Sequence, residues 1–312
     1  MAKSDRPWSR HLIRTGIRLM FGGRRAHMQD WFPGLSIRTE GDRRSLFYRG
    51  RLVTALLQTE ALAVRAGRDI HIVGSGPSIR HMEMTRLPPC SAILLNGAIA
   101  LAGKEIAAPL AVAIEDERFV FRHFFGLMQA VSPDTLCLLS ISVMRAICER
   151  DPAWLSDKTV VPIDNILKPY GAVRRSFADL RHEDFVVLDG DKAGISLEPD
   201  RGVFPAGSVA VSALQFVLAC KPARIGFAGI DISNAAEPRF YEDGKVSAFS
   251  GVAGAERRIL DHVALATDVG KREGIQFLNF SPVSALAKLG LTYDAYLARS
   301  DADGFPPAHD GV

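Results

Sequence analysis

The sequence predicts an α/β fold: a Rossmann-like, doubly wound and mainly parallel sheet with a loop-rich lid, preceded by a basic amphipathic helix. Three observations predict it. Short apolar runs recur between residues 69 and 280, and most are followed at once by glycine or a polar residue. Stretches with a 3.6-residue apolar period lie between several of these runs. The composition, 47% hydrophobic and 23% charged over 312 residues, supplies a substantial core and excludes a disordered or fibrous chain.

Taken in order, the first element is a basic arm. Residues 1–52 hold twelve Lys/Arg against four acids, a local charge of +8 within a chain whose net charge is +3. Trp8, Leu12, Ile17, Met20 and Phe21 recur at spacings of three to five, while Arg10, Arg14 and Arg18 follow at i, i+4 on another face. This pattern predicts a helix lying in a membrane interface with arginines toward anionic lipid phosphates, and it equally fits a surface helix docked on the body. The arginines interrupt any apolar run of a secretory signal, and no zinc-finger spacing or other nucleic-acid reading motif is present. The longest apolar stretch, residues 91–103, contains Asn96 and stops at Lys104 and Glu105, short of the ~20 residues a spanning helix needs. A cytoplasmic protein, peripheral at the inner membrane and without a nucleic-acid partner, is expected.

The body follows. Residues 69–73 (DIHIV), 92–95 (AILL), 110–114 (LAVAI), 136–140 (LCLLS), 185–188 (FVVL), 224–228 (RIGFA) and 276–280 (QFLNF) read as strands buried on both faces. Residues 208–219 and 256–272 read as helices, the second with Ile259, Leu260, Val263, Ala266 and Val269 in one stripe. Residues 150–205 carry Pro152, Pro162, Pro169, Pro199 and Pro205 and read as a lid. The division expected is an arm over 1–55, a doubly wound domain over 56–295 and a disordered tail over 296–312, where Gly304, Pro306, Pro307 and Gly311 fall. Cys90, Cys137, Cys148 and Cys220 are far apart, without metal-ligand spacing, and read as reduced core thiols. No metal or cofactor is expected.

In such a sheet, ligands bind beyond the carboxyl ends of the strands, where strand order reverses. Gly74-Ser75-Gly76-Pro77-Ser78 follows the first strand of the body; its glycines allow a close backbone approach and its serines offer hydroxyls, although a tight turn needs no more. Asn96-Gly97 follows the next strand and can present donor and acceptor to a base or ribose, or simply turn the chain. Glu115-Asp116 follows the third and could hold a sugar hydroxyl or a metal, or start a helix. Gly207 and Ser208 stand where a helix begins, as an anion cradle or an N-cap. Asp231 lies just past the strand at 224–228, and Tyr241 lies in the polar loop RFYEDG. Asp189-Gly190-Asp191 reads as a turn.

The ordered run HIVGSGPSI, LLNGAIAL, GSVAVSALQFVLACKPARIGFAGIDIS, a tyrosine-containing loop, then GIQFLNFSPVSALAKLG resembles the bacterial sialyltransferases of glycosyltransferase family 42 and the related 6-hydroxymethylpterin diphosphokinase-like proteins. The resemblance spans about residues 69–290. It implies a nucleotide-sugar-binding domain, a cytidine monophosphate (CMP) sugar as donor and inverting, metal-independent transfer to a lipid-linked glycan of a lipopolysaccharide or capsule, the sugar being Kdo or a sialic-acid-like 2-keto sugar. Position by position, it implies that Gly74, Ser75, Gly76 and Ser78 meet the phosphate or ribose, that Asn96 meets the base or sugar, and that Gly207, Ser208 and Asp231 line the nucleotide pocket. Tyr241 would stabilise the departing phosphate, and Ser284 matches a Pro-Asn-Ser element in which Val283 replaces the asparagine. The family's catalytic histidine falls near Arg257, where this chain has none. Glu256 is then the expected base, with His262 one to two turns further on. A pterin-type pyrophosphokinase using magnesium at Glu115, Asp116 and Asp231, or a nucleotide-binding homologue without catalysis, are the alternatives.

Overall fold

The computed structural model describes residues 8–27, 34–232, 238–242 and 253–299. Helix α1 (Ser9–Phe21) precedes three strands, β1 (Leu35–Glu40), β2 (Arg43–Tyr48) and β3 (Arg51–Leu56), whose connecting turns use positive φ at Gly41 and at Arg49-Gly50. The short helix α2 (Glu60–Ala63) leads to β4 (Asp69–Val73), β5 (Ala92–Leu95) and β6 (Ala111–Ile114). Next come α3 (Glu117–His123), β7 (Leu136–Ser140), α4 (Ile141–Arg150), α5 (Ala153–Ser156), β8 (Thr159–Ile163) and α6 (Phe177–Leu180). The remainder comprises β9 (Val186–Asp189), β10 (Ala193–Ser196), α7 (Val209–Ala219), β11 (Arg224–Ala228), α8 (Glu256–Arg272) and β12 (Gln276–Asn279).

Ten strands form one sheet in the order β1-β2-β3-β8-β7-β6-β5-β4-β11-β12. Pairing is antiparallel from β1 to β3 and parallel from β3 to β12, as a doubly wound fold requires. The central strands are apolar throughout because both faces are covered. Val112 and Ile114 of β6, with Cys137 and Leu139 of β7, pack toward α3 and α4. Their neighbours Ala111, Ala113, Leu136 and Leu138 pack toward α7 and α8. From β4 the chain steps outward through β5, β6 and β7 to β8, then returns by α7 to β11 on the other side of β4. The topological switch therefore lies between the carboxyl ends of β4 and β11.

Several stretches differ from the sequence-based expectation. Residues 35–55, expected within the arm, form with Leu56 three strands that widen the sheet, because Leu35, Leu46 and Leu56 bury a shared face. Residues 159–163, expected within a lid, are β8, a full member of the sheet despite Pro162. Among the described residues, strand β9 pairs only with β10, in a separate hairpin. Leu297, expected in a disordered tail, is fully buried; the tail from Ser300, like Asp243 and Gly244 of the tyrosine loop, lies outside the described residues.

Helix α1 is docked on the body, and not all its arginines face outward. Ile17 is buried, and Arg10 lies against α3 and α4 with Nε 3.1 Å from Glu117 and Nη2 3.2 Å from Glu149. Arg145 of α4, 1% exposed, completes the cluster at 2.8 Å from Glu117. The opposite side of α1 presents Trp8, Leu12, Leu19 and Met20 to solvent, with Arg14 and Arg18 exposed on its flank. Among the cysteines, Cys137 and Cys148 are buried and Cys220 is partly so, and burial pushes all three thiols up to about 12. Cys90 is exposed, in a positive-φ turn before β5. No helix among the described residues is long and apolar enough to cross a membrane.

Candidate functional site

At the switch point two glycine-containing loops meet backbone to backbone. Gly74 donates its N–H to Ala228 at 2.8 Å and Gly76 donates to Gly229 at 2.9 Å. A Cβ on Gly74 would collide with the Gly229 carbonyl, and one on Gly76 with the Asp231 carboxylate. Gly229 takes φ +63, so both loops need glycine for conformation or clearance. Asp231 ties them together, accepting from the Ser78 N–H and the Ser78 hydroxyl at 2.7 Å each and from the Ser281 hydroxyl at 2.5 Å. Ser281, directly after β12, brings a third strand end into the same knot. Ser284 then donates to the Ile230 carbonyl at 2.8 Å and caps the following turn. Gly74, Gly76, Ser78, Asp231 and Ser284 thus come together as the floor of one crevice.

Ser75, Asn96 and Tyr241 form its wall. The Arg239 guanidinium donates to the Ser75 hydroxyl at 3.0 Å, and Arg80 donates to the Arg239 carbonyl at 2.9 Å, fastening the tyrosine loop to the first glycine loop. The Tyr241 ring lies so close over Gly97 that a Cβ there would enter it, and it meets the His123 ring edge-on at 5.9 Å. Burial pushes the Tyr241 phenol above its usual range, so it remains a hydrogen-bond donor at neutral pH. Asn96 takes φ +46, and its side-chain oxygen is buried with no hydrogen-bond partner among the described residues. A buried acceptor that no described residue bonds calls for a donor from elsewhere.

Gly207 and Ser208 stand at the start of α7. Ser208 accepts from the Ala210 N–H at 3.3 Å as an N-cap, and Gly207, at φ +88, leaves the space taken by the Arg258 guanidinium. One turn into α7, the buried Ser212 hydroxyl donates to Glu115 at 2.8 Å. Glu115 lies beyond the end of β6, and burial pushes its carboxyl up to about 7. It lines a cavity of about 150 Å³ at the ends of β6, β7 and β8. Asp116, its neighbour, instead caps α3 and holds Arg118 at 2.7 Å. Glu115, Asp116 and Asp231 thus serve three separate local roles, and the described residues contain no cluster of three or more His, Cys, Asp or Glu suited to a metal.

Glu256 and His262 are placed elsewhere. Glu256, at the first turn of α8, pairs with Lys288 at 2.7 Å and lines an open depression with Arg257, Leu260 and Asp261. His262 is 3% exposed, hydrogen-bonded through Nδ1 to the Arg258 carbonyl at 2.8 Å and 6.2 Å from the Phe204 ring. Burial lowers its pKa and keeps it neutral.

Comparison with protein-family models gives no match, and comparison with curated protein sequences gives none either. Among solved structures, the chain is similar to the sialyltransferase CstII from Campylobacter jejuni. With its complex with the substrate analogue CMP-3FNeuAc the identity is 12% and the TM-score 0.38, over 75% of this chain and 89% of that one. With its cytidine-5'-monophosphate complex the values are 13% and 0.34, over 78% and 96%.

Sequence reasoning missed Ser281, Arg239 and the contact between Glu115 and Ser212. The first was legible, since Ser281 obeys the same rule of a polar residue past a strand end. The other two depend on which helix and loop fold back over the sheet, which no local spacing encodes.

Proposed function

We propose that this protein is a glycosyltransferase that uses a CMP-activated 2-keto sugar, Kdo or a sialic-acid-like sugar, and passes it to a lipid-linked glycan acceptor. The observation that carries the proposal is the geometry at the switch point, where the glycine loops after β4 and β11 are locked by Asp231 beside an Asn96 oxygen that no described residue bonds. A glycine-lined backbone suits the close approach of a phosphate or ribose, Asn96 suits a base amino group or sugar hydroxyl, and the Tyr241 hydroxyl suits the departing phosphate. The order of motifs along the chain, which resembles glycosyltransferase family 42, supplies the choice of CMP.

In the reaction, the acceptor oxygen attacks the anomeric carbon as the bond to the CMP phosphate breaks, and that phosphate leaves with the electron pair. A base takes the acceptor proton. The outward row Trp8, Leu12, Leu19 and Met20, flanked by exposed Arg14 and Arg18, supports contact of α1 with an anionic membrane surface; Arg10 is withheld from it by its buried ion pairs.

Thermal unfolding with CMP, CDP, UDP, GDP and ATP, each with and without magnesium, tests the donor assignment. A CMP-selective shift independent of magnesium is expected. Stabilisation by ATP only with magnesium would replace this proposal with the pyrophosphokinase chemistry.

A further inference from the structure

The cavity beside the crevice has its own chemistry. Three consecutive parallel strands end in polar residues there, Glu115 after β6, Ser140 of β7 and Asp164 after β8. Its outer wall is the segment following α1. His27 lies 3.3 Å from the Pro169 carbonyl, Arg24 donates through Nη2 to the Arg174 carbonyl at 3.3 Å, and the Arg174 N–H returns a bond to the Arg24 carbonyl at 3.1 Å. Most of the polar lining has fixed partners. Asp164 accepts the N–H groups of Asn165 and Tyr170, and the Ser140 hydroxyl donates to the Glu115 carbonyl. Glu115 differs, since one carboxylate oxygen takes the Ser212 hydroxyl and the other is bound by no described residue.

The cations at the same place are equally distinctive. Lys168 lines the cavity, and burial, followed by the charges of Arg174, Arg14 and Arg258 just outside the lining, lowers its ammonium pKa. None of these four lies within 4.0 Å of a carboxylate among the described residues, although thirteen other Lys or Arg side chains do. The Arg174 Nε is buried without a hydrogen-bond partner among the described residues. Four like charges contributed by α1, the loop after β8 and the first turn of α8 repel one another unless an anion sits among them.

We propose that this cavity is the acceptor site, built for a sugar carrying a phosphate or carboxylate, with Lys168 and Arg174 receiving the anion and Glu115 acting as the general base on the attacking hydroxyl. The base role rests on the transfer proposed above; the anion site does not. In the step, the Glu115 carboxylate takes the hydroxyl proton, the acceptor oxygen bonds to the anomeric carbon, and CMP departs with the electron pair of the broken bond. Glu115 then returns its proton to solvent. A carboxyl held at about 7 is poised for that exchange near neutral pH, and the groups facing it are Asp116, Ser212, Ser140, Asp164, Lys168 and His27.

Calorimetric titration of the full chain with glucose 6-phosphate, glucuronate and glucose tests the site, with Lys168→Ala/Arg174→Ala and Glu115→Gln as variants and CMP titrated in parallel. One or both of the anionic sugars should bind and glucose should not, and the double substitution should weaken binding about tenfold or more. The phosphate and carboxylate arms identify which anion is read. Glu115→Gln, which preserves the Ser212 bond, should keep both CMP and anionic-sugar binding while lowering kcat of transfer by about a hundredfold or more and removing the acidic limb of the pH profile. Equal binding of glucose, or anion binding untouched by the double substitution, overturns the site; unchanged kcat in Glu115→Gln overturns the base. Anionic-sugar binding through Lys168 and Arg174 without any CMP response overturns the transfer and leaves the anion site standing.

Discussion

Arg10 and Glu117 are joined at 3.1 Å beneath helix α1, so the first turn of a strongly basic segment is bound to the body by a buried ion pair. Glu117 is shared with Arg145, which is 1% exposed and whose guanidinium burial lowers to about 10. Glu117→Ala would remove the anion that Arg10 and Arg145 share and leave both to Glu149, at 3.2 Å and 3.8 Å, a loss of about 3 kcal/mol. Urea unfolding measures that loss. Limited proteolysis should show new cleavage within residues 9–21 in this variant.

Asp231 satisfies three donors from two other segments. Asp231→Ala strands the Ser78 N–H and two hydroxyls, and is expected to cost about 2–4 kcal/mol and to abolish the thermal shift given by CMP. Ser281→Ala removes one of the three and is expected to cost about 1 kcal/mol with a reduced CMP response. Equal responses in the two variants would contradict the shared floor.

Gly97 and Tyr241 are coupled by contact. Gly97→Ala should displace the tyrosine loop and weaken CMP binding, with an overpacking cost of about 1–3 kcal/mol. In the background of Tyr241→Ala the same substitution should be close to neutral. A double-mutant cycle on stability and CMP affinity therefore yields a positive coupling, and additivity would show the ring and the glycine to be independent.

His71 in β4 is buried against Phe280 and hydrogen-bonded to Ser91 at 3.3 Å, and burial lowers its pKa from 6.5 to about 4. Between those values the unfolded chain binds a proton that the folded one refuses. The contribution is intact above pH 6.5 and is lost as pH falls toward 4, by up to about 3 kcal/mol. Unfolding free energies from pH 7 to 4 should fall less steeply in His71→Gln.

The parallel sheet was legible in the sequence because its strands are buried on both faces and so appear as uninterrupted runs such as AILL and LCLLS. Residues 35–56 were harder to read. Their strands are covered on one side and carry seven arginines or other charges among the apolar residues, so the charge total concealed the alternation. Strand β8 was obscured by Pro162, whose missing N–H is tolerated because it lies on the β3 side of the strand, where β3 pairs with β8 only at Val160. The glycine loops and Asp231 were found because a polar residue after a strand is a local signal. The convergence of Lys168, Arg174, Arg14 and Arg258 was not, since each belongs to a segment distant in sequence from most of the others.

The cysteines give the molecule a single chemical handle. Thiols held at about 12 are ionised at neutral pH in only about one part in 10⁵, so Cys137, Cys148 and Cys220 are shielded from alkylation both by burial and by charge state. Cys90 sits before the amino end of β5, at the end of the sheet opposite the crevice. A maleimide dye or a surface tether placed there would hold the molecule by its far end, leaving the switch point between β4 and β11 and the cavity at the ends of β6, β7 and β8 facing the solution.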